Sequence, residues 1–196
     1  MNHLRIGIAA AAAAVLLSGC NRAADTGNAA ANETAPAANA VEPGSQTVAA
    51  ALAGDGDLGR LGEIAANAGL AELLGGTGPF TLFAPDNSAF PALGAGADAL
   101  KTEAMRPQAI ALLRAHIVPG VVTRRDLDAA LARGGSRPTQ MRTMSGGTLT
   151  FTRDGDAVVV TSDTGGHGRL VEETLASNGA IERVDGLLVP AEAPAR

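Results

Sequence analysis

Three histidines, a single cysteine and two acidic glycine turns are the groups from which this sequence could assemble reactive chemistry. His116 falls on the apolar face of an expected helix, just before Pro119-Gly120. A neutral ring there donates from one nitrogen and accepts at the other, the work of a buried histidine that fixes a turn. His167 lies in the polar stretch TSDTGGHGR, with Asp163 nearby. That pair lacks the further ligands a metal centre needs, so a solvated loop is expected. GDGD (Gly54 to Asp57) and DGD (Asp154 to Asp156) lack the later glutamate and the ligand spacing of a calcium loop, and turn chemistry accounts for both. The chain has no G-x-S-x-G elbow, no phosphate loop ending in Lys-Ser/Thr and no H-E-x-x-H. Glycoside hydrolysis needs two carboxylates ~5–9.5 Å apart across a cleft, and no spacing of Asp and Glu points to such a pair. No catalytic residue, metal or cofactor is therefore expected, and an envelope-polymer hydrolase ranks last among the functional readings.

The cysteine reads differently. A short basic start with Arg5 leads into an uncharged run from Ile6 to Leu17, shorter than the ~20 apolar residues that cross a bilayer. Leu17-Ser18-Gly19-Cys20 then resembles a bacterial lipobox. Residues 1–19 are expected to leave as a lipoprotein signal peptide, taking His3 with them, and Cys20 to carry a thioether-linked lipid. Several acyl chains on one residue anchor more firmly than one, because each buried methylene adds ~0.8 kcal/mol. Asn21 stands where an aspartate would resemble an inner-membrane retention signal, which makes the outer membrane the expected location. No second cysteine remains for an internal disulfide, so the fold must rest on packing.

From residue 20 to 45 the chain is mostly Ala, Asn, Thr, Glu, Pro and Gly, too little to bury to offset the entropy of ordering it. It reads as a disordered tether. Residues 46–190 are enough for one self-sufficient core, and 191–196 form a tail. The net charge of −5 and the single lysine, Lys101, leave no basic patch for nucleic acid.

The elements that would hold these groups are legible as patterns. Leu58, Leu61, Ile64, Ala65 and Ala68 keep helical spacing, with Asp57 as the expected cap and Gly69 in the left-handed closing position. A second helix is expected from Arg106 to Ala115, Pro107 in its first turn and Met105, Ala109, Leu112, Leu113 and His116 on one face. A third begins at Thr123, which forms a capping box with Asp126, and stops at Gly134-Gly135. TLTFTRDGDAVVV predicts a hairpin turning at Asp154-Gly155. RLVEETL and AIERVDGLLVP predict further strands, the last closed by Pro190. Helices first and strands later point to an α+β fold.

FTLFAPDNSAF, Phe80 to Phe90, holds three of the four phenylalanines in a chain without tyrosine or tryptophan. Large apolar residues on both faces of Phe80–Ala84 predict a strand covered on both sides. Pro85 ends it, Asp86 is placed to cap a helix after it, and Pro85 and Phe90 occupy the staple positions. These aromatics are expected in the core.

GPFTLFAPDNSAFPAL resembles the first homology block of the fasciclin domain family, LLRAHIVPGVVTRRDL its central block and SNGAIERVDGLLVP its closing block, in the family's order. The resemblance covers Gln46 to Pro190 and implies helices packed on a wedge-shaped β-sandwich, with a short strand after the central helix. The family's central block usually carries a tyrosine before its histidine, where this chain has Ala115. Its closing block often has a histidine where this chain has Glu182. In some animal members the Tyr-His pair and its apolar flanks are linked to integrin binding. His116, Ile117 and Val118 are the positions that carry over as candidate partner-binding residues.

The resemblance implies adhesion or matrix contact. The expected function is a lipid-anchored binding module of the cell envelope, periplasmic or surface-facing, that contacts protein, polysaccharide or another copy of itself. The alternative is a periplasmic carrier of a small apolar ligand, since some family members bind pigments. It would require a cleft lined by aliphatic residues.

Overall fold

The computed structural model describes residues 44–135 and 137–190. Cys20, the N-terminal apolar run, most of the tether and the C-terminal tail lie outside the described residues. Gly44 lies close against the Leu175 backbone, since a Cβ there would stand 1.9 Å from the carbonyl oxygen of Leu175.

The described residues form six helices and seven strands. Helices α1 (Val48–Gly54), α2 (Gly59–Asn67) and α3 (Ala71–Gly75) precede strand β1 (Phe80–Pro85). Then come α4 (Gly96–Ala99), α5 (Arg106–His116), β2 (Ile117–Pro119) and α6 (Arg124–Gly134). The rest is sheet: β3 (Thr139–Arg142), β4 (Thr148–Asp154), β5 (Ala157–Ser162), β6 (His167–Ala176) and β7 (Gly179–Val184). The class is α+β, as the order of patterns predicts. Among the described residues, no helix is long and apolar enough to cross a membrane.

The sheet order is β2-β1-β7-β6-β5-β4-β3, with β1 and β7 parallel and every other neighbour antiparallel. Its two halves share β6, which pairs with β5 through His167–Arg169 and with β7 through Leu170–Ala176. A register shift between Leu170 and Glu172 marks the junction and leaves Val171 57% exposed. Such an irregularity bends and twists a strand. One core lies against helices α1–α5 and takes Phe80, Leu82, Ala84, Phe90 and Ile181. A second core takes Phe83 from β1 and Phe151 from β4, rings 5.2 Å apart, with Leu127, Val160 and Val184. Every residue of β1 is buried, which is why its sequence is apolar on both faces.

Local chemistry sets several boundaries as expected. Gly69 has φ +69°, and the N–H groups of Gly69 and Leu70 return to the carbonyls of Ala66 and Ala65, a two-bond C-terminal cap on α2. Thr123 and Asp126 form both halves of the capping box on α6.

Four expectations need correction. Asp57 does not cap α2. Asp55 accepts the Asp57 N–H in a short 3₁₀ turn, and the Arg60 N–H in the first turn of α2 is taken by Asn87 Oδ1 at 3.0 Å. Asp86 caps a turn rather than a helix, accepting the Ser88 N–H at 2.8 Å. Beyond that turn lies a 3₁₀ segment, Phe90–Leu93, ended by Gly94 at φ +54°. The hairpin turns at Gly155-Asp156, because Asp154 pairs with Ala157. The last strand ends at Val184, not at Pro190. Asp185 accepts the Arg169 N–H at 2.6 Å, and the chain then leaves the ladder to bury Leu187 in one core and Leu188 in the other.

Candidate functional site

Helix α5 spaces Ala109, Leu112, Leu113 and His116 onto one buried face and delivers the histidine to the start of β2. The Leu188 N–H donates to His116 Nε2 at 3.1 Å, which leaves the proton on Nδ1, and Nδ1–H donates to the Leu112 carbonyl at 2.8 Å. Burial pulls the imidazole down from 6.5 to about 4, against the opposing pull of the Leu112 bond, so the ring is neutral at pH 7. Ile117 and Val118 continue into β2 opposite Leu82 and Thr81, and both are buried. The structure therefore gathers His116, Ile117 and Val118 in one place and gives none of them to the surface. The exposed apolar positions of this block are Pro119 and, beyond the turn, Val121.

Glu182 is fully buried on β7, directly opposite Glu173 on β6. Arg124, the first residue of α6, reaches it with Nε at 3.3 Å and Nη2 at 3.0 Å, both on Oε2. The Arg124 backbone N–H goes to Glu173 Oε1 at 2.7 Å, a carboxylate at a helix N-terminus. Glu182 Oε1 has no hydrogen-bond partner among the described residues. Burial raises the carboxyl from 4.5 to about 7; Arg124 opposes the rise and the neighbouring Glu173 adds to it. Glu182 presents no surface to a substrate.

The acidic turns are engaged elsewhere. Asp55 and Asp57 both face Arg183, at 3.5 and 2.7 Å, and Glu172 joins them on the same guanidinium. Asp154 pairs with Arg169 at 3.0 Å. His167 is exposed, its Nδ1 3.5 Å from the Gly165 carbonyl, while Asp163 accepts the Thr148 N–H at 2.9 Å. Among the described residues no group of three or more His, Cys, Asp or Glu is placed to hold a metal ion.

Two features escape the sequence reading. Asn178, at the turn between β6 and β7, accepts the Val48 N–H at 2.8 Å and donates to the carbonyls of Leu74 and Gly76 at 2.9 and 2.6 Å. One amide thus binds the start of α1 and the end of α3 to the last hairpin; the Asn-Gly pair is visible in the sequence, its partners are not. The second is the cleft beside Ala115, whose rim carries the short strings TMSGG and SDTGG, a repeat legible in the sequence.

The arrangement defines a class: an α+β module with helices α1–α5 around one core of a seven-strand sheet and α6 packed into a second, its most perturbed titratable groups turned inward. A family model described as Fasciclin domain matches residues 56–190, and the chain belongs to that family. It is 30% identical over 165 residues to Protein sll1483 of Synechocystis sp. (strain ATCC 27184 / PCC 6803 / Kazusa), covering 81% of each chain. It shares its fold, at a TM-score of 0.64 and 17% identity, with a FAS1 domain pair from the insect cell adhesion molecule Fasciclin I. That match takes in 74% of this chain and 51% of the other, so the chain spans about half the length of the pair.

Proposed function

We propose that this protein is a non-enzymatic binding module of the cell envelope, tethered through a lipid on Cys20 at the outer membrane, and that it contacts protein, polysaccharide or another copy of itself. One observation carries the non-catalytic part of the reading. His116 and Glu182, whose proton affinities are displaced furthest, are buried, and the partners they have lie inside the domain. Displaced pKa values often mark catalytic groups, but a catalytic group must reach its substrate. Adhesion is carried by family membership and by the cell adhesion molecule that shares the fold; a fold alone does not fix a function.

Protease treatment of intact and of outer-membrane-permeabilised cells tests the reading, with a known surface protein and a known periplasmic one as controls. Cleavage within residues 28–44 on intact cells supports adhesion to neighbours or matrix. Protection until permeabilisation removes cell adhesion and leaves contact with envelope partners. Metabolic labelling with a palmitate analogue tests the anchor: the wild type should incorporate it and Cys20→Ser should not.

A further inference from the structure

Thr143-Met144-Ser145-Gly146-Gly147 joins β3 to β4, and Ser162-Asp163-Thr164-Gly165-Gly166 joins β5 to β6. Both read Ser/Thr-x-Ser/Thr-Gly-Gly, and both fold alike. In each, the N–H of the first residue donates to the carbonyl of the fifth, at 2.9 and 2.7 Å. The N–H of the fourth returns to the carbonyl of the first, at 3.0 and 3.1 Å. That fourth residue has φ of +89° and +94°, where glycine is at ease. The hydroxyls of the first and third residues meet, Thr143 with Ser145 at 2.8 Å and Ser162 with Thr164 at 2.9 Å. The pairing of Leu149 with Ser162 sets the loops side by side, and Thr148 and Asp163 bind them together, the Asp163 N–H on the Thr148 carbonyl and the Thr148 N–H on Asp163 Oδ2.

A cleft of about 280 Å³ opens between these loops and Ala115 of α5, with Leu149 and Leu188 supplying apolar wall. Thr143 Oγ1 also donates to the Gly147 carbonyl at 3.3 Å, and Ser162 Oγ accepts the Gly166 N–H at 3.0 Å. The first pair thus spends both O–H groups inside its loop, the second leaves one O–H to donate, and the outer hydroxyls keep lone pairs to accept. The outer hydroxyls, Ser145 and Thr164, are exposed. Asp163 Oδ1 has no hydrogen-bond partner among the described residues. Gly147 leaves room for that carboxylate, since a Cβ there would stand 3.1 Å from Oδ1. No lysine, arginine or histidine lines the cleft, so nothing in it recommends an anion. An alkylammonium only donates and would leave the hydroxyl donor of the Ser162–Thr164 pair unmatched. A ligand that donates and accepts through hydroxyls, and has a C–H face for the aliphatic wall, matches every group present.

We propose that the cleft between the twin loops binds a single neutral sugar residue of an envelope or matrix polysaccharide. This rests on the binding-module reading and names its ligand class. The volume, just below the ~300–1,000 Å³ of most small-molecule sites, suits one terminal residue rather than a run of chain.

The test is amide-resolved NMR of the ¹⁵N-labelled mature chain carrying Cys20→Ser, titrated with glucose, galactose, mannose, N-acetylglucosamine and methylammonium. At least one sugar should shift amides of residues 143–148 and 162–164 with millimolar affinity. Ala115→Leu, which fills the cleft from α5, and Asp163→Asn, which removes the free carboxylate oxygen, should each weaken binding about tenfold or more with an unchanged melt, the Asp163 effect being about that of one hydrogen bond to a charged group. If no sugar moves these amides, or methylammonium alone does, the proposal is wrong. Retention of the same proteins on purified cell envelopes separates the two levels. Equal retention of wild type and Ala115→Leu keeps the binding module and removes the cleft, whereas no retention of the wild type removes the module itself.

Discussion

Arg124 and Glu182 meet at 3.0 Å across 58 residues of chain, and the pair is lopsided: both guanidinium contacts fall on one carboxyl oxygen while the other has no partner among the described residues. A half-satisfied buried carboxyl beside a second carboxylate holds its proton more tightly than one in water. The histidine of the central block does the reverse, and the opposition of the two has a measurable consequence.

Between pH 4.5 and about 7 the folded state keeps a proton on Glu182 that the unfolded chain releases, so this contribution to stability is whole below 4.5 and lost as pH rises through 7. Between about 4 and 6.5 the unfolded chain takes a proton on His116 that the folded state refuses, so that contribution is whole above 6.5 and lost as pH falls toward 4. From 4.5 to 6.5 the two cancel. Glu182→Gln removes one side of the balance. Its stability relative to the wild type should climb with pH from 4.5 to 7, by up to ~1.4 kcal/mol per pH unit. Urea midpoints of both proteins across this range give the difference directly. A difference level with pH would mean that Glu182 binds its proton equally in both states.

His116→Ala removes a ring bonded at both nitrogens and leaves the Leu188 N–H buried without an acceptor. The cavity and the unpaired donor together should cost about 3 kcal/mol. Calorimetry should show a markedly lower melting temperature. An unchanged melt with lost retention on envelopes would instead make His116 a recognition residue.

Asn178→Asp separates donation from acceptance. The carboxylate can still receive the Val48 N–H but opposes two carbonyls it can no longer bond, those of Leu74 and Gly76. A loss of about 2–3 kcal/mol is expected. Hydrogen exchange should quicken first in α1 and α3. Exchange that quickens evenly over the domain would deny Asn178 its local role.

Gly179→Ala and Gly155→Ala are a matched pair. A Cβ at Gly179 would fall 2.1 Å from the Phe80 carbonyl, which belongs to a buried strand and cannot yield. At Gly155 the space is open and only φ of +60° resists, a strain of about 1 kcal/mol. Far-ultraviolet dichroism of the soluble fraction should find the second variant folded and the first not.

The sequence reveals what neighbouring residues decide. The capping box at Thr123, the glycine closing α2 and the β4–β5 pairing are each settled within a few positions. Caps in acidic or polar runs escape it by one or two residues, because Asp55 and Asp57 are equal candidates by propensity and the choice belongs to Asn87, 27 residues away from the amide it caps. Glu182 reads in the sequence as a departure from a family pattern, and its environment comes from α6 and β6. His116 reads as a turn-fixing residue; its second partner, Leu188, lies 72 residues on.

The parallel pairing of β1 with β7 also governs how the chain comes into being. Synthesis delivers the N-terminus first, yet Gly179–Val184, the last strand made, is the one that fits between β1 and β6. Until it arrives, Phe80–Pro85 shows an open row of backbone donors and acceptors along an apolar strand, the kind of edge that recruits foreign chains. A ribosome that stalls before Gly179, or a nonsense codon there, would release not a shorter version of the domain but an adhesive one.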